Sequence, residues 1–181
     1  MILQNVLDAV DHRHATRVSE LAAQFAQHLR FSSQEVEHIR LGALYHDIGK
    51  ISIPAAVLES PEPLTAKQQA LMRRHVEYGI SILSIYSSPE MAVARTIVAT
   101  HHERWDGSGY PHGLKRSDIP LVGRIVALCD VFDALSSERP YKPAWHLGKV
   151  LDYVRAERGK AFDPNLANQF LAMIEQGAVA L

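Results

Sequence analysis

The stretch Ser32–Lys50, SSQEVEHIRLGALYHDIGK, decides how this chain folds. Ser32 followed three residues later by Glu35 is a capping box, in which the side chains and backbone of a helix's first turn satisfy one another. Val36, Ile39, Ala43 and Leu44 then recur at three- and four-residue steps, which places them on one helical face. The helix runs toward Asp47, where Gly49 and Pro54 break it. It therefore delivers His46-Asp47-Ile48-Gly49-Lys50 at a helix end, with the glycine letting the backbone turn away.

The same spacing rules apply on both sides of this stretch. Upstream, Val6, Val10, Val18, Leu21, Ala22, Phe25 and Leu29 mark a long helix from Asn5 to Leu29. Downstream, Pro61 and Pro63 mark a turn, Thr65 with Gln68 forms a second capping box, and a helix runs to about Tyr86. Ser88-Pro89 starts another that ends near His101. The glycines, proline and charges from His102 to Ile119 carry no helical period and predict a long ordered loop. Asp118 and Pro120 open a helix through Val126, Cys129 and Leu135, one more runs from about Ala144 to Arg158, and Asp163-Pro164 starts the last. No strand-like alternation or internal repeat intervenes, so the expected fold is all-α: a single-domain bundle, residues 1–181, of about seven helices with a metal site in its core.

Bulk properties narrow the function. A length of 181 residues suits one domain. The 47% apolar and 22% charged composition is that of a globular protein. Nineteen Lys plus Arg against 20 Asp plus Glu give a net charge of −1, which provides no field for a DNA or RNA polymer. Cys129 is the only cysteine, so no intrachain disulfide can form and a reducing, cytoplasmic setting is expected. No segment has the length and apolarity for membrane insertion.

Histidine occurs ten times, and its placement points to chemistry. His14 lies in the first helix, His75 in the third, His101 and His102 at the end of the fourth, and Asp130 between apolar pairs in the helix after the loop. Taken singly, each reads first as a satisfied core or surface group, and His46-Asp47 as a hydrogen bond or helix cap. Together with Asp47, a metal site in a helix bundle satisfies all of them at once.

These residues, with His101-His102-Glu103-Arg104-Trp105-Asp106-Gly107-Ser108-Gly109-Tyr110-Pro111, closely resemble the HD-GYP subfamily of HD-domain metal-dependent phosphohydrolases over about residues 11 to 175. The resemblance implies a bacterial signalling phosphodiesterase that hydrolyses cyclic di-GMP to the linear dinucleotide, and in many members on to GMP. It implies His14, His46, Asp47, His75, His101, His102 and Asp130 as ligands of two divalent cations, with Asp47 bridging. It also implies Asp47 and Lys50 as catalytic groups, and Tyr110, Arg139 and Lys142 as substrate contacts. Iron or manganese suits these ligands, as do zinc and nickel. Val10 stands where some members carry a glutamate that helps hold a third metal, so two metals are expected, and Asp11 points about 100° away on a helix.

In the loop, Gly107 and Gly109 are expected to supply unusual backbone angles and Trp105 to pack beneath Tyr110. The family's loop is also a proposed docking surface for cyclic di-GMP synthase domains, and the sequence leaves room for a homodimer. An HD-type hydrolase of another nucleotide and a catalytically silent binding or docking module stay open as alternatives.

Overall fold

The computed structural model describes residues 12–138 and 143–177, so Val10, Asp11, Arg139 and Lys142 lie outside the described residues. The helices are α1 (His12–His28), α2 (Ser33–Leu44), α3 (Ala55–Leu58), α4 (Ala66–Arg73), α5 (His75–Leu83), α6 (Pro89–Thr100), α7 (Leu121–Ser136), α8 (Leu147–Ala156) and α9 (Pro164–Glu175). Short 3-10 turns occupy Ile48–Ser52 and Arg116–Asp118. Among the described residues there is no strand, only one isolated bridge between Arg158 and Phe162. None of the described helices is long and apolar enough to cross a membrane.

Local chemistry explains most helix boundaries. Ser32 and Thr65 each accept a bond from the backbone of the residue three positions on, and Glu35 and Gln68 reach back to the cap N–H at 2.9 Å. Asp163 caps α9 by accepting from Asn165 and Leu166, with Pro164 at the first helical position. At the end of α1, Arg30 adopts the left-handed region with φ 67°. The Arg30 and Phe31 N–H groups then close on Gln27 and Ala26 carbonyls, a Schellman ending usually given to glycine.

Two boundaries differ from the sequence expectation. The helix expected from Thr65 to Tyr86 is interrupted at Arg74, because the His75 ring donates its Nδ1–H to the Met72 carbonyl at 2.8 Å. A side chain that competes for a backbone acceptor in this way ends regular winding. Asp118 closes a 3-10 turn instead of opening α7, whose N-cap is Pro120.

α7 packs against α1, α6, α8 and α9, while α2 lies across α1 and α6. The main core gathers Phe25, Phe132 and Phe170, whose rings meet edge to face at 5.1 and 5.2 Å, with Ile39, Ile97, Val154 and Met173 around them. Each such side chain contributes roughly 1.5–3 kcal/mol by leaving water. A smaller cluster of Tyr45, Ile48, Leu83, Ala94 and Val98 lies under the 3-10 turn that follows α2. There Gly49 is required for closeness: a Cβ on it would lie 1.9 Å from the His75 carbonyl oxygen and 2.5 Å from Gly79 N. The glycine lets this turn sit directly on the start of α5, which brings Asp47 and His75 together.

Candidate metal centre

Five segments converge behind this contact. α1 supplies His14, the end of α2 supplies His46 and Asp47, α5 begins with His75, α6 ends at His101 and His102, and α7 supplies Asp130. These seven residues form two adjoining groups, Asp47 with His75, His101 and His102, and His14 with His46 and Asp130. Within each group the candidate ligand atoms lie within 4.8 Å of one another. Asp47 faces both groups: its Oδ2 is 3.3 Å from His46 Nε2, and its Oδ1 is 3.4 Å from His75 Nε2 and 3.9 Å from His101 Nε2. Lys50 Nζ donates to Asp47 Oδ2 at 2.5 Å.

Hydrogen bonds fix the ring orientations. The Nδ1–H groups of His46, His75 and His101 donate to backbone carbonyls of Ala43, Met72, and Ile97 with Val98, at 2.6 to 3.1 Å. A carbonyl only accepts, so Nδ1 carries the proton and Nε2 is the atom aimed inward. Those three Nε2 atoms and Asp47 Oδ1 are buried without a hydrogen-bond partner. Such groups cost about 1–3 kcal/mol each when left unsatisfied.

Electrostatics separates the two groups. Burial holds the pKa values of His75 and His101 below the ordinary value and pushes His102 down to about 4, so these rings are neutral and present lone pairs. At His14 burial also opposes charge. There the bonds to Asp130 and Asp133 outweigh it and raise the pKa to about 9. Burial likewise opposes ionisation of Asp47 and Asp130, yet Lys50 and His46 beside the first, and His14 beside the second, keep both ionised. One group thus holds a proton among its carboxylates, while the other holds neutral rings around a carboxylate. Imidazole nitrogens and carboxylate oxygens converging in a buried space fit divalent transition cations.

Two supporting residues were not singled out from sequence. Asp133, buried one turn beyond Asp130, accepts the Nδ1–H of His14 at 2.6 Å. It is clamped by Arg17 Nε at 2.6 Å and Ser137 Oγ at 3.1 Å. This carboxylate sets the tautomer and tilt of His14. The signal was present as matching i,i+3 pairs, His14 with Arg17 and Asp130 with Asp133. Glu103, also buried, accepts from the backbone N–H of His112 and Leu114 at 2.7 and 3.0 Å and so ties the loop to the end of α6.

The loop itself differs in detail from expectation. Gly107 has a φ of 85°, but Gly109 is needed for space, since a Cβ there would lie 2.4 Å from Arg104 N. Tyr110 does not rest on Trp105, which lies near Arg124; it stacks on His102 with ring centres 4.6 Å apart. The Trp105 and Asp106 N–H groups bond instead to the Ala161 and Lys160 carbonyls, which holds that part of the loop away from Tyr110.

Residues 1–166 match the model of the HD domain family. Over 163 residues, 88% of this chain and 43% of the relative, it is 45% identical to the cyclic di-GMP phosphodiesterase response regulator RpfG of Xanthomonas campestris. A cyclic di-GMP phosphodiesterase of Thermotoga maritima is 41% identical, with 95% of this chain and 47% of that protein covered. A 3'3'-cGAMP-specific phosphodiesterase of Vibrio cholerae is 39% identical, with 94% and 34% covered. The chain spans about a third to a half of the length of these curated relatives. Among solved structures, an HDG"Y"P protein from Bdellovibrio bacteriovorus shares the fold with TM-score 0.70 at 19% identity, covering 91% of this chain and 52% of that one. The L. monocytogenes phosphodiesterase PgpH HD domain in complex with cyclic-di-AMP does so with TM-score 0.65 at 17% identity, covering 99% and 97%.

Proposed function

The chain belongs to the HD domain family and, within it, to the HD-GYP subfamily, and on that premise we propose that it hydrolyses cyclic di-GMP with two divalent cations. The observation that carries this reading is the pair of adjoining donor groups with Asp47 presenting one oxygen to each. His14, His46 and Asp130 would hold one cation, His75, His101 and His102 the other, and Asp47 would bridge them. Iron or manganese suits the mixed nitrogen and oxygen donors, as do zinc and nickel. Bound there, the cations supply Lewis acidity toward a phosphate and make a water more acidic.

The chain's own groups then have distinct tasks. Lys50, already on Asp47, lies where it can stabilise charge on the phosphate oxygens and pass its Nζ proton to the departing ribose oxygen. Asp133 keeps His14 aimed inward, and Glu103 keeps the loop in place. Tyr110, stacked between His102 and Arg73, offers its ring edge and hydroxyl to the nucleotide. Arg139 and Lys142 are assigned to substrate phosphates on the resemblance alone. Cleavage opens the ring to the linear dinucleotide, and a second cut gives GMP.

A second substrate, 3'3'-cGAMP, is favoured by the 39% identical relative specific for it. Incubating manganese- or iron-loaded protein with cyclic di-GMP, cyclic GMP-AMP, cyclic di-AMP and linear dinucleotides tests both readings. Fastest turnover of cyclic di-GMP is expected. Faster cyclic GMP-AMP turnover transfers the assignment to that substrate, and tight binding without turnover of any of them makes the chain a binding module.

A further inference from the structure

The wall between two cavities is built by a cation that the ligand set does not use. One cavity, of about 260 Å³, is lined by His101, His102 and Asp130 together with Tyr110 and Arg73. A second, of about 380 Å³, shares Tyr110 and Arg73 and runs along Gln69, Arg74 and Pro111. Together they fall in the size range of small-molecule sites, about 300–1,000 Å³. Arg73 is thus the last residue of α4 and shares a boundary with both spaces.

Its geometry is that of a held guanidinium. Cζ of Arg73 lies 4.7 Å from the centre of the Tyr110 ring, and Tyr110 in turn lies on His102 with the rings 24° from parallel. A column of His102, Tyr110 and Arg73 therefore leads outward from the candidate ligands. Stacking occupies the face of the guanidinium and leaves its N–H edge available. Among the described residues Arg73 has no carboxylate partner. The adjacent Arg74 differs: it lies over Tyr78 at 4.9 Å and meets Glu77 at 3.3 Å. The two neighbouring arginines thus have different surroundings, one paired with a carboxylate and one held on an aromatic ring that lines both cavities.

We propose that Arg73 is a substrate-gripping residue whose N–H edge pairs with the phosphate of the cyclic dinucleotide that is not being cut. This rests on the reading given under Proposed function. A cyclic dinucleotide carries two phosphates, and with one at the cluster beside Lys50 the remainder of the ring must extend into the adjoining cavities. A planar fork on an aromatic platform suits the two oxygens of the outer phosphate. The fork acts on binding, since it lies one stacked ring away from the reacting atoms.

The test compares wild type, Arg73→Ala, Arg73→Lys and Arg74→Ala as metal-loaded full chains, with cyclic di-GMP and with bis(4-nitrophenyl) phosphate, a diester that has one phosphate only. Arg73→Ala is expected to raise KM for cyclic di-GMP at least about tenfold with kcat little changed, the scale of a charge-assisted hydrogen bond. Arg73→Lys should recover part of the loss, and Arg74→Ala, whose charge is paired with Glu77, should raise KM less than Arg73→Ala. All variants should keep wild-type metal content and hydrolyse the one-phosphate diester at the wild-type rate. An unchanged KM in Arg73→Ala, or an equal loss with both substrates, overturns the proposal. If wild type hydrolyses the small diester and no cyclic dinucleotide, the functional reading itself has failed, and equal cyclic di-GMP affinity of wild type and Arg73→Ala by calorimetry would overturn the grip as well.

Discussion

The two faces of α7 are both buried and are built on opposite principles. Phe132 points toward Phe25 and Phe170, where contacts are apolar and every atom gains from leaving water. Asp130 and Asp133 point toward the histidines, where His46 Nε2, Asp47 Oδ1, His75 Nε2 and His101 Nε2 are buried with no hydrogen-bond partner. Burial stabilises the first face and costs free energy on the second. The chain therefore places its stability and its chemistry on separate sides of one helix. Each should be breakable without the other.

The largest expected effect is on the polar side. Asp47→Ala removes the carboxylate whose two oxygens face the two groups, so turnover should fall by at least about a hundred- to a thousandfold, with metal content lost alongside. His28→Ala, outside both groups, should change neither. An active, metal-loaded Asp47→Ala protein would break the comparison at its centre. On the apolar side, Phe170→Ala leaves a hole between two rings and should cost about 3–5 kcal/mol in denaturant unfolding. Metal content per folded chain should stay the same. A metal-depleted but equally stable Phe170→Ala protein would show that the two faces are not separable.

Smaller changes sharpen the boundary. Asp133→Asn keeps the shape of the residue that orients His14 but removes its charge, and should weaken metal affinity about 10- to 100-fold in competition with a chelator. Unchanged affinity would mean that Arg17 and Ser137 alone determine what Asp133 does. Arg30→Gly relieves the left-handed backbone at the end of α1 and should raise stability by roughly 0.5–1 kcal/mol, with no effect on metal. A loss of stability there would mean that the arginine side chain does more than tolerate the turn.

Features set by neighbours in sequence were legible before any coordinates. The capping boxes at Ser32 and Thr65 and the proline starts at Pro89 and Pro164 depend on residues within one turn, and the helices begin there. What depended on distant partners was hidden. The break at Arg74 comes from the His75 ring, and the need for Gly49 comes from α5 passing within contact of its backbone. Asp133 reads as one more polar residue on α7 until α1 brings His14 and Arg17 against it. The resemblance to the HD-GYP subfamily is what singles out the seven candidate ligands as a set, and the fold brings them into two adjoining groups. The resemblance implies Asp47 as the bridge, and the fold is what turns one of its oxygens toward each group.

If the unpartnered nitrogens of the polar face and Asp47 Oδ1 serve to hold cations, the metal content of the protein must show it. Elemental analysis of wild-type protein purified without oxygen, beside Asp47→Ala prepared in the same way, tests it most directly. About two divalent cations per wild-type chain and a marked loss in the variant are expected. Wild-type protein that stays metal-free when offered iron, manganese, zinc and nickel would contradict it.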